Sequence, residues 1–301
     1  MKIIVCDPVD QSVVDHFESS SQFEIEECFE RDPLERKIED ASFLIVRSGT
    51  TVDPDLLGQA NQLIGIVRAG VGLDNIDLEA CERANVNVEN TPEASTNAVA
   101  ELVVGHILSV YRSIPRADRE IKQGNWIKSE LTGGEIQGKT AGIIGYGRIG
   151  QRIGDILEAF GAEIIAYDEY INHNKIRSAG AEPQDSIDDL LPQSDIITVH
   201  VPLTDETEHL ISDDELDKLR PGAVVINCAR GGVVDEDALQ RGLEDGDLRG
   251  AGLDTFETEP PGTSPLVVND SVVATPHIGA STSEAQERIG QLVIEKIEQM
   301  A

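Results

Sequence analysis

Three segments in the C-terminal half of this chain end in side chains that can grip an anion, hold a charge or carry a proton. In V-V-I-N-C-A-R-G-G at 224–232, Arg230 stands between an apolar run and a Gly-Gly turn. There a planar guanidinium can bind a carboxylate through two parallel hydrogen bonds, or pair on the surface with Asp235 or Glu236. In G-L-D-T-F-E-T-E-P-P at 252–261, Asp254 and Glu259 flank a loop stiffened by two prolines, which in so acidic a chain also describes a solvated loop. In T-P-H-I-G-A at 275–280, His277 follows a proline beside small residues that let a ligand approach. That position suits a general acid/base, although a lone histidine is more often structural. All three segments follow strand-like runs, and open parallel sheets bind ligands at the carboxyl ends of their strands.

A fourth segment, A-G-I-I-G-Y-G-R-I-G at 141–150, carries a G-x-G-x-x-G. Gly145 permits a tight turn, Gly147 removes a side chain that would hold phosphates away, and Gly150 lets the following helix pack close to its strand. The helix starting near Arg148 offers free N–H groups and the positive end of its dipole to a pyrophosphate. The pattern alone is weak. Here Thr140–Ile144 is strand-like, and Ile149, Ile153, Ile156, Leu157 and Phe160 form a helical apolar stripe. A second strand, Glu163–Tyr167, ends in Asp168, 18 residues beyond Gly150, where a carboxylate can accept hydrogen bonds from a ribose. Asp168 would repel a 2′-phosphate, and Glu169, Tyr170 and Ile171 supply no cation to bind one. The expected cofactor is therefore NAD rather than NADP.

The elements that must position these residues alternate. Lys2–Cys6, Phe43–Arg47 and Leu63–Arg68 read as strands, with helical segments at Gln11–Phe17 and Ile76–Ala84. One long helix is predicted from about Ser95 to Lys122. After the fingerprint, Ile196–His200, Ala223–Asn227, Gly250–Leu253 and Val272–Ala274 are further strands, and Ser283–Met300 closes the chain as a helix. This βα alternation predicts an α/β protein with two Rossmann-like or flavodoxin-like parallel sheets. A dinucleotide fingerprint usually opens its domain, yet here it begins after 140 residues. The expectation is a discontinuous substrate-binding lid domain of residues 1–97 and 278–301, an NAD-binding Rossmann domain of 98–277, and a cleft between them.

Composition narrows the partners. Fifty-six acidic against 24 basic residues leave a net charge of -32, which opposes binding to nucleic acid and to anionic membrane surfaces. Arginine outnumbers lysine 16 to 8, and a lysine-poor, acid-rich surface suits a salt-rich cytoplasm. Cys6, Cys28, Cys81 and Cys228 are scattered, so buried thiols in a reducing, cytoplasmic setting are expected, with no metal site. Neither a signal peptide nor a membrane-length apolar run is visible.

The order Arg230, Glu259, His277, together with R-A-G-V-G-L-D-N-I-D at 68–77, G-N-W at 124–126 and N-C-A-R-G-G at 227–232, resembles the D-isomer-specific 2-hydroxyacid dehydrogenases. Within that family the motifs look most like those of phosphoglycerate dehydrogenases. The resemblance implies that Arg230 holds a substrate carboxylate, His277 handles the hydroxyl proton, and Glu259 orients His277 and stabilises its imidazolium. It implies that Asp254 bonds the nicotinamide carboxamide. Arg148, Ile149, His200, Val201, Cys228, Ala229, Arg230 and the run His277, Gly279, Ala280 then match cofactor-contacting positions. It also implies a homodimer, or a tetramer, built through the nucleotide domain, with the long helix and the Trp126 segment as an arm.

The substrate implied is 3-phospho-D-glycerate, oxidised to 3-phosphohydroxypyruvate in the first step of serine synthesis. That anion carries about -3, so local cations must reverse the field of an acidic protein. Arg47, Arg68 and Lys128 are the candidates, with Ala69, Gly70, Val71 and Asn97 beside them; Arg47 and Arg68 can equally pair with local acids such as Asp74. Val71 stands where some relatives have threonine, and Lys128 replaces an arginine fork with a point charge. Reduction of glyoxylate, hydroxypyruvate or another small 2-keto acid is the alternative, and an NAD-sensing scaffold like the corepressors of this fold a remoter one. A chain ending at Ala301 also implies a short form without the regulatory domain of many phosphoglycerate dehydrogenases, or a truncated one.

The charge generates the first prediction. Screening relieves self-repulsion among the acids, so the melting temperature should rise from low to molar salt. Equal melting temperatures in both would contradict an adaptation to salt.

Overall fold

Short apolar runs, punctuated by glycine, proline or a capping acid, make the interior strands of two parallel sheets. The computed structural model describes residues 1–301. They fall into two compact units, Met1–Thr96 with Ala280–Ala301, and Asn97–Gly279.

The first unit holds β1 (Lys2–Val5), β2 (Glu24–Glu27), β3 (Phe43–Val46), β4 (Gly65–Arg68) and β5 (Asn87–Asn90). Their order is β2-β1-β3-β4-β5, every pair parallel. The interior strand β3, F-L-I-V, is fully buried, as expected for a strand covered on both faces. The edge strands E-I-E-E and N-V-E-N carry one apolar residue each, and sequence periodicity did not mark them. Their formation depends on the neighbour whose hydrogen bonds they complete. The closing helix Ser283–Met300, capped by Thr282, seals this unit by packing Ile289, Val293 and Ile297 against Ile3, Val5, Phe17 and Phe43.

The second unit holds β6 (Thr140–Ile144), β7 (Glu163–Tyr167), β8 (Glu182–Pro183), β9 (Ile196–Val199), β10 (Ala223–Asn227), β11 (Leu248–Leu253) and β12 (Val272–Ala274). The order is β12-β11-β10-β9-β6-β7-β8, again parallel. The chain leaves β6 toward β7 and returns on its other side at β9, so the order reverses at β6, where doubly wound sheets open a ligand crevice. Alternate residues feed opposite cores: Val224 and Ile226 join Ile153 and Leu157 on one face, and Val225 joins Val199 and Leu253 on the other.

The single helix predicted over Ser95–Lys122 is two, Thr96–Arg112 and Ile114–Lys122. Ser113 between them has φ 47, in the left-handed region. Pro115 has no N–H to donate to the Tyr111 carbonyl one turn back, and that carbonyl accepts instead from the Gly134 N–H at 3.0 Å and Arg249 Nη2 at 3.2 Å. Helix Thr96–Arg112 lies close on β11 because Gly250 and Gly252 have no side chains. A Cβ at Gly250 would stand 2.7 Å from Val110 Cγ1, and one at Gly252 would stand 2.7 Å from His106 Cβ. All four cysteines are free and buried. No helix is long and apolar enough to cross a membrane.

Candidate active site

Within the second unit the chemistry-bearing residues follow the carboxyl ends of six strands. After β6, Gly145 takes φ 89, and a Cβ there would stand 2.6 Å from the His200 carbonyl oxygen. Gly147 caps the helix Arg148–Ala159, and a Cβ on it would meet nothing within 4 Å, leaving a cradle open above the free N–H groups of the first turn. A Cβ on Gly150 would run into the Gly145 carbonyl and stand 3.1 Å from Ile143 Cγ2, so the bare glycine lets the helix sit tight on β6. Ile149 partly packs into the core beside Arg148.

After β7, Asp168 is built into the turn. Its Oδ2 accepts from the Tyr146 N–H at 2.8 Å, and its Oδ1 accepts from the Tyr170 and Ile171 N–H groups at 2.9 Å. Three of about four lone-pair sites are thereby spent on the backbone, and the one left on Oδ2 can accept from a sugar hydroxyl. The open cradle, the helix N-terminus and this aimed carboxylate fit a dinucleotide.

After β9 come His200 and Val201. His200 Nε2 bonds Thr198 Oγ1 at 2.8 Å, and burial pushes its imidazole down to about 3. It is neutral near pH 7, which sets it apart from a proton carrier. Val201 partly packs against the core. After β10, buried Asn227 staples the turn: its Oδ1 accepts from the Ala229 N–H at 3.0 Å and its Nδ2 donates to the Arg230 carbonyl at 2.8 Å. Arg230 Nη1 donates to the Ala229 carbonyl at 2.6 Å. Gly231 runs against the Phe256 carbonyl, so this turn and the loop after β11 are pressed together. The Cys228 thiol is pushed well up by burial and by the Asp254 charge, and stays protonated.

After β11 and β12 come the two acids and the histidine. His277 Nδ1 lies 2.9 Å from Glu259 Oε2 and 3.1 Å from Oε1. Both side chains are about two-fifths exposed (40% and 39%), so the pair meets solvent while the imidazole is held from behind. Glu259 Oε1 also accepts from the Phe256 N–H at 3.2 Å. Asp254, 1% exposed, accepts from Thr275 Oγ1 at 2.6 Å and from the Ile278 and Gly279 N–H groups at 2.8 Å each. These bonds bracket His277, whose φ of 53 lies in the left-handed region. For a side chain with a Cβ, that conformation persists only where the surroundings enforce it.

Asn97 starts the helix Thr96–Arg112 on the surface, its amide bridging Glu101 and Arg152. Lys128 is exposed on a short 3₁₀ turn, Lys128–Glu130. In the first unit Arg47 follows β3, with its N–H on Asp7 Oδ2 (2.6 Å), its carbonyl on Asn75 Nδ2 (2.6 Å) and its Nη1 on the Pro8 carbonyl (3.1 Å). Arg68 ends β4, followed by buried Ala69, by Gly70 at φ 153 and by Val71, whose carbonyl accepts from Asn90 Nδ2 at 2.6 Å. Ala280 also belongs to the first unit, and its carbonyl accepts from Gln286 Nε2 at 2.8 Å. Asn227, Thr275 and Asn75 lie inside the quoted motifs but were given no role there, and Asp7 lies in none. An asparagine or threonine at a strand end is the one available signal.

Residues 104–279 match the model of the D-isomer specific 2-hydroxyacid dehydrogenase, NAD binding domain. The whole chain is 44% identical, over 300 residues, to D-3-phosphoglycerate dehydrogenase of Methanocaldococcus jannaschii, of whose length it spans 57%. It is 41% identical to hydroxypyruvate reductase of Thermotoga maritima, with 98% of this chain and 97% of that one aligned. The structure of D-lactate dehydrogenase from Aquifex aeolicus, complexed with NAD and lactic acid, superposes with TM-score 0.87 at 29% identity, covering 99% of this chain and 94% of that one. The doubly wound sheet, its glycine cradle and these matches lead to one conclusion: the chain belongs to the D-isomer specific 2-hydroxyacid dehydrogenases, and residues 104–279 are its NAD-binding domain.

Proposed function

We propose that the protein oxidises 3-phospho-D-glycerate to 3-phosphohydroxypyruvate, the first step of serine synthesis, with NAD. The observation that carries the reading is the His277–Glu259 pair. Glu259 accepts only, so the proton between them sits on His277 Nδ1 and leaves the Nε2 lone pair as the working base. His277 Nε2 takes the hydroxyl proton as the substrate C–H bond breaks, and Glu259 stabilises the imidazolium that forms. NAD, when bound, supplies the hydride acceptor. Arg230 grips the substrate carboxylate and polarises the adjacent C–O bond. Gly145, Gly147 and the first turn from Arg148 cradle the pyrophosphate, Asp168 takes the ribose, and Asp254 meets the nicotinamide side through its remaining lone pair. In the reverse direction, protonated His277 donates to the keto oxygen.

Arg47, Arg68 and Lys128, with Asn97, are assigned to the substrate phosphate. The chain spans about half the length of the curated phosphoglycerate dehydrogenases it matches. A hydroxypyruvate reductase matches it end to end, which favours hydroxypyruvate or glyoxylate as the second reading. A salt-rich cytoplasm is the setting inferred from the charge of -32.

His277→Ala should lower kcat by about 10²–10⁴-fold with NAD affinity nearly unchanged, measured by steady-state turnover and by NAD fluorescence titration. Near wild-type turnover would remove His277 from the mechanism. Arg47→Ala and Arg68→Ala should each raise KM for 3-phosphoglycerate by roughly tenfold or more, the scale of one lost charged hydrogen bond, while sparing hydroxypyruvate. If both substrates suffer alike, or wild type prefers hydroxypyruvate, the phosphate assignment fails. We also infer a homodimer through the nucleotide-binding unit. Helix Ile114–Lys122 buries none of its residues, and Ile114, Ile121 and Trp126 stand 49%, 57% and 80% exposed. Light scattering in high salt should give twice the chain mass, and a monomer mass overturns it.

A further inference from the structure

One buried titratable group has no part in that mechanism. His106 lies on helix Thr96–Arg112 among Val103, Ile107 and Val110, 2% exposed, over the bare backbone of Gly252. An imidazole in such a place needs a partner, and its Nε2 stands 2.9 Å from Thr275 Oγ1. The proton directions follow from counting. Thr275 has one hydroxyl proton, which goes to the Asp254 carboxylate at 2.6 Å. Toward His106 its oxygen can only accept, so His106 must carry its proton on Nε2. The chain of donors runs His106 Nε2–H to Thr275 Oγ–H to the Asp254 carboxylate, and Asp254 in turn holds the Ile278 and Gly279 N–H groups.

We propose that His106 is a positioning residue for His277, acting through the Thr275 hydroxyl and the Asp254 carboxylate. Donation into the Thr275 oxygen polarises its O–H and strengthens the bond to Asp254. The strengthened carboxylate clamp then fixes residues 275, 278 and 279 and holds His277 between them at its left-handed φ. Burial keeps the imidazole below its ordinary range, against the opposing pull of the Asp254 charge, so it stays neutral, and buried Nδ1 has no hydrogen-bond partner. Gly252 is the complementary choice on β11, since a Cβ there would stand 3.0 Å from His106 Cγ.

The inference rests on His277 being the proton carrier, and its test separates the two ideas. Nitrogen-15 spectra of the histidines should show His106 protonated at Nε2 and bare at Nδ1 near pH 7, with no substrate present. Amide exchange at Ile278 and Gly279 should quicken by roughly fivefold in His106→Leu and Thr275→Val, the scale of one net hydrogen bond. His106→Gln, which offers an amide N–H in place of Nε2–H, should restore most of the protection. In parallel, kcat of His106→Leu should fall about tenfold at unchanged KM, as for a contact realised only in the transition state, with rescue in His106→Gln. A proton on Nδ1 directed at the Val273 carbonyl, unaltered exchange in both variants, unaltered kcat where exchange has quickened, or no rescue by glutamine would each overturn it. If wild type oxidises no hydroxyacid, the functional reading falls, while tautomer and exchange still decide the role of His106 in the clamp.

Discussion

A carboxylate with almost no access to water must have its lone pairs filled, and Asp254 imposes that requirement on everything around it. Leaving such a charge unpaired costs several kcal/mol, far more than a single turn can supply from its own propensity. The chain meets the demand by bending the segment after β12 so that two N–H groups and a hydroxyl converge on one side chain. The bend has a local consequence, since His277 is forced into a conformation it would not choose. The same bend presents its imidazole to Glu259. The backbone of His277 is therefore placed by the needs of a neighbouring acid, and its imidazole by Glu259.

Close backbone approach is the second constraint, and glycine is how the sequence satisfies it. At Gly145 and Gly150 a strand end and a helix start share space that any Cβ would fill. At Gly231 the turn bearing Arg230 passes the Phe256 carbonyl, tying the arginine to the loop that carries Glu259. At Gly250 and Gly252 the sheet admits a helix near enough for a core histidine to reach Thr275. Gly147 differs, because a Cβ there would clash with nothing in the protein. As the N-cap of its helix it leaves the space above the free N–H groups open to an anion.

How much of this was legible in the sequence follows from the range of each interaction. β6, β7 and β10 were readable to the residue, since each is a continuous apolar run ending at a glycine or a polar turn. β2 and β5 were not, because a polar edge strand is defined by its neighbour in the sheet and not by its own pattern. The break at Ser113 was half visible: Pro115 announces a lost hydrogen bond, but the groups that capture the freed Tyr111 carbonyl lie at Gly134 and Arg249. For the site, the sequence places Arg230, Glu259 and His277 after successive strands, and the fold pairs His277 with Glu259. The Asp254 clamp was out of reach, since His106 lies 169 positions from Thr275 and nothing in the T-P-H-I-G-A segment points to it.

The balance of charge differs between the general surface and the end of β3. Across the surface, cations are consumed by acids: Lys2 by Glu26 and Asp40, Arg31 by Glu35 and Asp53, Lys218 by Asp188 and Glu215. Exposed pairs of this kind contribute little to stability and are weakened by salt. At the end of β3, Arg47 is held differently. Arg47 is steadied by the neutral Pro8 carbonyl, while Asp7 spends its carboxylate on backbone N–H groups of Arg47 and Thr50. Holding a guanidinium by a neutral acceptor fixes its direction without cancelling its charge. Salt screens charges beyond a Debye length much more than charges in contact, so the distant acids behind a net charge of -32 weigh less at Arg47 as ionic strength rises.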